Sequence, residues 1–111
     1  MQIREIVSSE LKARIEAGEA VEIVDIRSEA EIAQGVLPEA QHLPMHLIPL
    51  KMNDLPKDRD VILYCRSGAR SYQACAYLAQ QGVANVFNLS GGIIDWARQG
   101  FEIGTPAPAQ A

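Results

Sequence analysis

Val61-Ile62-Leu63-Tyr64-Cys65-Arg66-Ser67-Gly68-Ala69-Arg70-Ser71 joins two opposite patterns at one cysteine. Before Cys65 the residues are apolar and β-favouring; after it they are small or cationic, and an alanine-rich helical pattern begins. The spacing predicts a strand over 61–64, a tight loop entered by Cys65, and a helix over 67–81. A thiol at that junction faces backbone N–H groups and the positive end of a helix dipole. Arg66 and Arg70 flank it. Each influence favours the thiolate, which is the reactive form of cysteine.

The pattern repeats in both directions from this stretch. Towards the N-terminus we expect a short strand over 3–7, and a helix capped by Ser8 or Ser9 that ends at Gly18. A strand follows over 21–25, then a short helix opened by a Ser28–Glu31 capping box and ended by Gly35. Residues 41–44 read as another short strand. Between Pro44 and Pro56, the positions of Leu47, Ile48, Leu50 and Leu55 suggest a short helix, which Pro49 limits. Towards the C-terminus a strand over 85–89 precedes a helix over 93–99. Strands alternating with helices indicate an α/β domain with a mainly parallel sheet and helices on both faces. Sites in such sheets gather beyond the carboxyl ends of the strands. Asp25, Cys65 and Gly91-Gly92 all fall at such ends.

At 111 residues the chain reads as a single domain over 1–104 with a loose proline-containing tail over 105–111. Its 48% hydrophobic and 22% charged content is that of a soluble globular protein. A net charge of −4 argues against non-specific nucleic-acid binding. No window approaches the roughly 20 apolar residues of a membrane span. No long apolar segment follows the charge in residues 1–5, so the expectation is a cytoplasmic, reducing setting. Cys65 and Cys75 match neither a redox Cys-x-x-Cys nor a zinc pattern, and a structural disulfide is not expected there.

The loop chemistry follows from residue types. Gly68 allows positive φ and close backbone approach. Successive N–H groups in such a curl form a nest for an anion or a negatively charged sulfur. Arg70 adds charge that does not titrate away. Arg66 is expected to point to solvent and attract an anionic substrate. The alternative for Cys65 is a small buried hydrophobe at a strand end.

Cys65-Arg66-Ser67-Gly68-Ala69-Arg70-Ser71 closely resembles the active-site loop of rhodanese-type sulfurtransferases, Cys-x-x-Gly-x-Arg-Ser. Val24-Asp25-Ile26-Arg27 with Glu31 and Gly35 is similar to that family's Asp-x-Arg-x-x-x-Glu-x-x-x-Gly element. Leu89-Ser90-Gly91-Gly92-Ile93 with Trp96 is similar to its closing Gly-Gly-x-x-x-Trp element. The resemblance spans about residues 3 to 103, in the family's order. It departs at Gly35-Val36-Leu37-Pro38-Glu39-Ala40, where the family often has Gly-His-Ile-x-Gly-Ala, and at Ile32, where an aromatic is usual.

The resemblance implies a rhodanese-like fold with a mainly parallel five-stranded sheet. It implies transfer of a sulfane sulfur from thiosulfate or a related donor to cyanide or a thiol through a Cys65 persulfide. The loop N–H groups of Arg66, Ser67, Gly68, Ala69, Arg70 and Ser71 would cradle the outer sulfur. A small-molecule donor and acceptor, and a thiol protein as a further acceptor, are the partners implied; no metal or organic cofactor is required. One alternative is a persulfide carrier module that serves a specific partner protein. Another is a cysteine-dependent phosphatase or arsenate reductase. Those phosphatases use Cys-x5-Arg, whereas four residues separate Cys65 from Arg70, a shorter loop suited to a single sulfur.

Asp25 and Glu31 are expected to support the loop, one or both pairing with Arg70. The competing assignment is a strand-end cap for Asp25 and a capping-box partner for Glu31. Arg27 reads as a structural ion-pair partner. Cys75 shares a helix face with Tyr72, Ala76 and Ala79, which is expected to pack on the sheet and keep the thiol inert. A resolving role against Cys65 is the sharper alternative. His42 and His46 read as loop residues rather than metal ligands, because Pro44 lies between them. Gly91-Gly92 is expected to turn tightly beside the loop, and Trp96 to anchor the core.

Overall fold

The computed structural model describes residues 2–106. Among these, five strands form one sheet: β1 (Glu5–Ile6), β2 (Val21–Asp25), β3 (Gln41–His42), β4 (Asp60–Tyr64) and β5 (Val86–Leu89). Their spatial order is β1-β5-β4-β2-β3, and all four strand pairings are parallel. The helices are α1 (Ser8–Glu16), α2 (Glu29–Ile32), α3 (Ile48–Lys51), α4 (Ala69–Gln80) and α5 (Gly92–Arg98). Short 3₁₀ turns at Met45–Leu47 and Met52–Asp54 flank α3.

β4 lies at the centre of the order, which explains its uninterrupted apolar run: a parallel central strand is buried on both faces. Val61, Leu63 and Cys65 cluster with Ile48 of α3 and with Ala74, Cys75 and Leu78 of α4. Ile62 and Tyr64 turn the other way and cluster with Leu11 of α1 and Trp96 of α5. Each such side chain, fully buried, contributes about 1.5–3 kcal/mol of gross hydrophobic stabilisation. The two edge strands are only two residues long, shorter than the patterns over 3–7 and 41–44 suggest.

Three carboxyl ends converge. The Ile26 N–H donates to the Tyr64 carbonyl at 3.1 Å, tying the exit of β2 to β4. The Ile93 and Ile94 N–H groups donate to the Cys65 and Arg66 carbonyls at 3.0 and 3.1 Å, tying the start of α5 to the loop after β4.

Four local expectations need correction. α4 starts at Ala69 rather than at 67, because Gly68 has φ +101°, outside the helical region, and is itself the N-cap. α1 has Val7 at its N-cap with no side-chain bond; Ser8 is already the first helical residue, buried, and its hydroxyl has no partner. Pro49 lies in the first turn of α3, where a missing N–H costs nothing, so it favours the start of that turn rather than limiting it. Tyr72 is 43% exposed and does not share the packed face of α4 with Cys75. At the C-terminal end Gly104 bridges Val36 in antiparallel fashion, and Thr105 and Pro106 are exposed. Residues 107–111 of the expected tail lie outside the described residues.

Candidate active site

Cys65 stands at the exit of β4 with only 1% of its surface exposed. Its Sγ accepts a hydrogen bond from the Gly68 N–H at 3.1 Å and lies 3.5 Å from the Ser71 hydroxyl. Burial pushes this thiol up. The Ser71 hydroxyl and the amides of Ser71, Gly68 and Ser67 pull it down and outweigh burial, so the thiol lies below its ordinary value. A core position and an activated position thus coincide in one residue.

The curl follows from two glycines. At Gly68 the positive φ closes the turn, and a Cβ there would crowd the Leu89 carbonyl at 3.3 Å and the Gly91 nitrogen at 3.2 Å. Gly92 opens α5 so close to the loop that a Cβ would sit 2.5 Å from the Cys65 carbonyl oxygen and 2.4 Å from that of Arg66. With those carbonyls held by α5, the Gly68 N–H bonds the sulfur and the amides of Ser67 and Ser71 also act on it. This is the arrangement of an anion nest at a helix N-terminus.

The arginines act less directly than their flanking positions suggest. Arg66 and Ser67 are exposed, as is Ala69. Arg70 is 42% exposed and donates through both terminal nitrogens to the Glu31 carboxylate, at 2.9 and 2.8 Å. It senses the Cys65 charge, but Glu31 is its main partner. That bidentate bond, opposed by partial burial, holds the Glu31 carboxyl down to about 2. Glu31 also closes the capping box with Ser28, so both roles considered for it are present together.

Asp25 does not reach Arg70. It is buried and accepts from the Arg27 backbone N–H at 2.9 Å and from the Arg27 guanidinium at 2.8–3.1 Å. Arg27 in turn donates to the Gly35 carbonyl at 2.6 Å and lies over the Tyr64 ring. This buried pair joins the end of β2 to the segment after α2, and the second acidic residue expected beside Arg70 is a strut one layer below it.

Asn88 of β5, which the sequence pattern did not single out, belongs to the site. Its side chain is buried, accepts from the Ser71 hydroxyl at 2.5 Å, and donates to the Gly68 carbonyl and to Glu5. The available signal was one amide side chain inside an otherwise apolar strand. Cys75 is fully buried, and burial together with the nearby Glu5 charge pushes its thiol up to about 12. His42 Nε2 contacts the Arg27 carbonyl at 2.6 Å, while His46 is exposed in the turn before α3.

Two depressions flank the loop. One, of about 330 Å³, is lined by Arg66, Glu31, Gln34, Ile93, Ile94 and Ile103, among others. The other runs along Arg70, Met45, His46 and Leu47. The largest groove, about 720 Å³, lies away from the loop between the end of α1 and the 36–41 segment, and touches none of residues 65–71. The two smaller depressions each take in one arginine of the loop, Arg66 or Arg70, while Cys65 itself lies buried beneath.

A family model described as a rhodanese-like domain matches residues 7–99. The chain is 62% identical over 104 residues to a sulfurtransferase of Allochromatium vinosum, covering 94% of this chain and 97% of that protein. It is 44% identical to a putative sulfurtransferase of Bacillus subtilis, covering 86% and 92% respectively. Among solved structures it superposes on a rhodanese-like domain protein from Staphylococcus aureus with a TM-score of 0.83 at 31% identity, over 95% of this chain and all of that one.

Proposed function

This chain belongs to the rhodanese-like domain family, with a role in sulfur transfer, and we propose that it moves a sulfane sulfur from thiosulfate to a nucleophilic acceptor through a persulfide on Cys65. The Cys65 thiolate attacks the outer sulfur of thiosulfate. A new S–S bond forms to Cys65, the S–S bond of thiosulfate breaks, and sulfite leaves with its electron pair. The sulfur now carried is anionic at its outer atom, which the inward-facing amides of the loop stabilise. Cyanide or a thiolate then attacks that outer sulfur, and the bonding pair returns to Cys65.

The observation that carries this proposal is a buried sulfur at the exit of β4 that accepts from the Gly68 N–H at 3.1 Å and lies 3.5 Å from the Ser71 hydroxyl, contacts that hold the thiol below its ordinary value. Hydrogen bonds are the main cause, and the loop amides among them suit a second sulfur placed one bond further out. Arg66, exposed at the lip of the 330 Å³ depression, supplies attraction for a dianionic donor. The second arginine in its lining, Arg27, is already engaged by Asp25 and the Gly35 carbonyl, which leaves Arg66 as the charge offered to a compact donor.

Covalent storage between two half-reactions predicts ping-pong kinetics. Initial rates measured over a grid of thiosulfate and cyanide concentrations should give parallel double-reciprocal lines. Intersecting lines would rule out the stored intermediate. Turnover of aryl phosphates in place of thiosulfate would assign the loop to phosphate instead.

A further inference from the structure

The Ser71 hydroxyl has one proton and two neighbours able to accept it. Asn88 Oδ1 lies 2.5 Å away and Cys65 Sγ 3.5 Å away. The orientation of the Asn88 amide follows from its other contacts. Its nitrogen donates to the Glu5 carboxylate at 2.9 Å and to the Gly68 carbonyl at 3.2 Å, and both of those groups only accept. Oδ1 therefore faces Ser71, and the hydroxyl proton points along the shorter contact, to Asn88. Its lone pairs are left facing the sulfur.

We propose that Asn88 is a positioning residue that holds the Ser71 proton away from Cys65 while its sulfur is uncharged, and yields it when the thiolate forms. In the thiol state the Cys65 S–H is free to donate to Ser71 Oγ, which completes a chain from Cys65 through Ser71 to Asn88. A thiolate facing the same lone pairs is repelled, so the hydroxyl turns and donates to sulfur. Asn88 Oδ1, on a side chain only 2% exposed, then loses its donor. An unpaired buried acceptor is unfavourable, so Asn88 opposes that turn.

The consequence for the reaction rests on the persulfide proposed above. In that state the charge sits on the outer sulfur and the inner Sγ is neutral, so the Ser71 proton returns to Asn88. Asn88 therefore favours the loaded protein over the free thiolate. The pull of the Ser71 hydroxyl on the thiol is exerted only after the hydroxyl turns. Of the charged groups around this unit, Glu5 on β1 touches Asn88, and Arg70 senses the Cys65 charge while paired with Glu31 on α2 and sensing Asp25 at the end of β2; Cys75 on α4 senses Glu5.

The test uses the full chain labelled with ¹³C and ¹⁵N at its asparagines, Asn53, Asn85 and Asn88. The Asn88 side-chain carbonyl shift is followed by NMR across the Cys65 titration, with that midpoint measured independently by alkylation rate. The expected result is a shift change at the Cys65 midpoint, lost in Cys65→Ser and in Ser71→Ala. A change that persists in Cys65→Ser belongs to Glu5 and overturns the proposal. So does an Asn88 signal that stays flat in the unmodified protein, or one that still follows Cys65 after Ser71→Ala. Addition of thiosulfate above the midpoint should return the signal to its thiol-state position in molecules whose mass shows one added sulfur. If no sulfur is added, the persulfide mechanism fails, and the pH titration still decides the role of Asn88.

Discussion

Cys65 shows how a single position serves two demands. Its side chain completes the cluster between β4 and α4, yet its sulfur collects donors from the loop that follows. Sequence made the thiol legible through the abrupt change of residue type after Tyr64, and made Arg70 legible through spacing. It offered Asp25 and Glu31 together as partners of Arg70 and did not reveal that Glu31 takes that role while Asp25 is engaged by Arg27, because two carboxylates and two arginines permit several pairings until the backbone is placed. Asn88 was hidden because a lone polar residue in a strand carries no spacing signature. Native alkylation should modify Cys65 with a midpoint below that of an ordinary thiol and leave Cys75 unmodified, as read by peptide mass. Equal labelling of Cys75 would contradict its burial. Arg70→Ala should lower kcat by about tenfold or more, by removing both the Glu31 tie and a fixed charge beside the loop. Arg66→Ala should raise KM for thiosulfate by about two- to fivefold with kcat little changed, as expected for one exposed charge. Glu31 titrates lower in the folded chain than in the unfolded chain. Its contribution to stability is therefore complete above the ordinary carboxylate value and is lost as pH falls towards about 2. Urea unfolding midpoints of Glu31→Gln should accordingly fall less steeply than those of the unmodified protein across that acid range.

At the scale of elements, the site is made by three junctions and not by any one helix or strand. β4 presents the thiol, α4 contributes the N-terminal amides, and the first turn of α5 grips the loop carbonyls. The order of these elements was readable because hydrophobic runs and helical spacing alternate cleanly over 61–99. Helix boundaries were less readable. The helix read from 67 took in Gly68, although that glycine was also read as free to take positive φ, and its left-handed backbone makes it the cap; Ser8 looked like a cap and is a buried first-turn residue. The Gly91-Gly92 turn was legible as a turn, but its grip on the loop depends on tertiary approach. Gly92→Ala should accordingly damage stability and activity together. Its Cβ would fall 2.4–2.5 Å from two loop carbonyl oxygens, and its φ of +59° disfavours a side chain. A chemical-denaturation loss of about 2 kcal/mol or more is expected, since positive φ alone costs of order 1–3 kcal/mol. A variant with unaltered stability and turnover would show that the α5 contact does not shape the loop. Ser28→Ala removes the capping box of α2 and should cost about 1 kcal/mol in the same assay.

Across the whole molecule, two apolar layers hold the sheet rigid so that its carboxyl edge can support a curled loop. Trp96 anchors one layer, fully buried, with its indole N–H donating to the Glu102 carbonyl at 2.7 Å and its ring edge-on to Phe101. Trp96→Ala should destabilise by about 3–5 kcal/mol in thermal or chemical unfolding. The architecture was legible because the run 61–64 of the central strand β4 is apolar on both faces, a pattern that a one-sided antiparallel sheet does not produce. The edge strands were legible in place but not in length, because strands of two residues leave almost no periodicity. What this framework delivers is a sulfur surrounded by amides at a fixed place. The most direct test of its purpose is intact mass after brief incubation with thiosulfate under non-reducing conditions. The account predicts a gain of one sulfur atom per chain, removed by cyanide and absent from Cys65→Ser. An unchanged mass in the unmodified protein, or the same gain in Cys65→Ser, would contradict it.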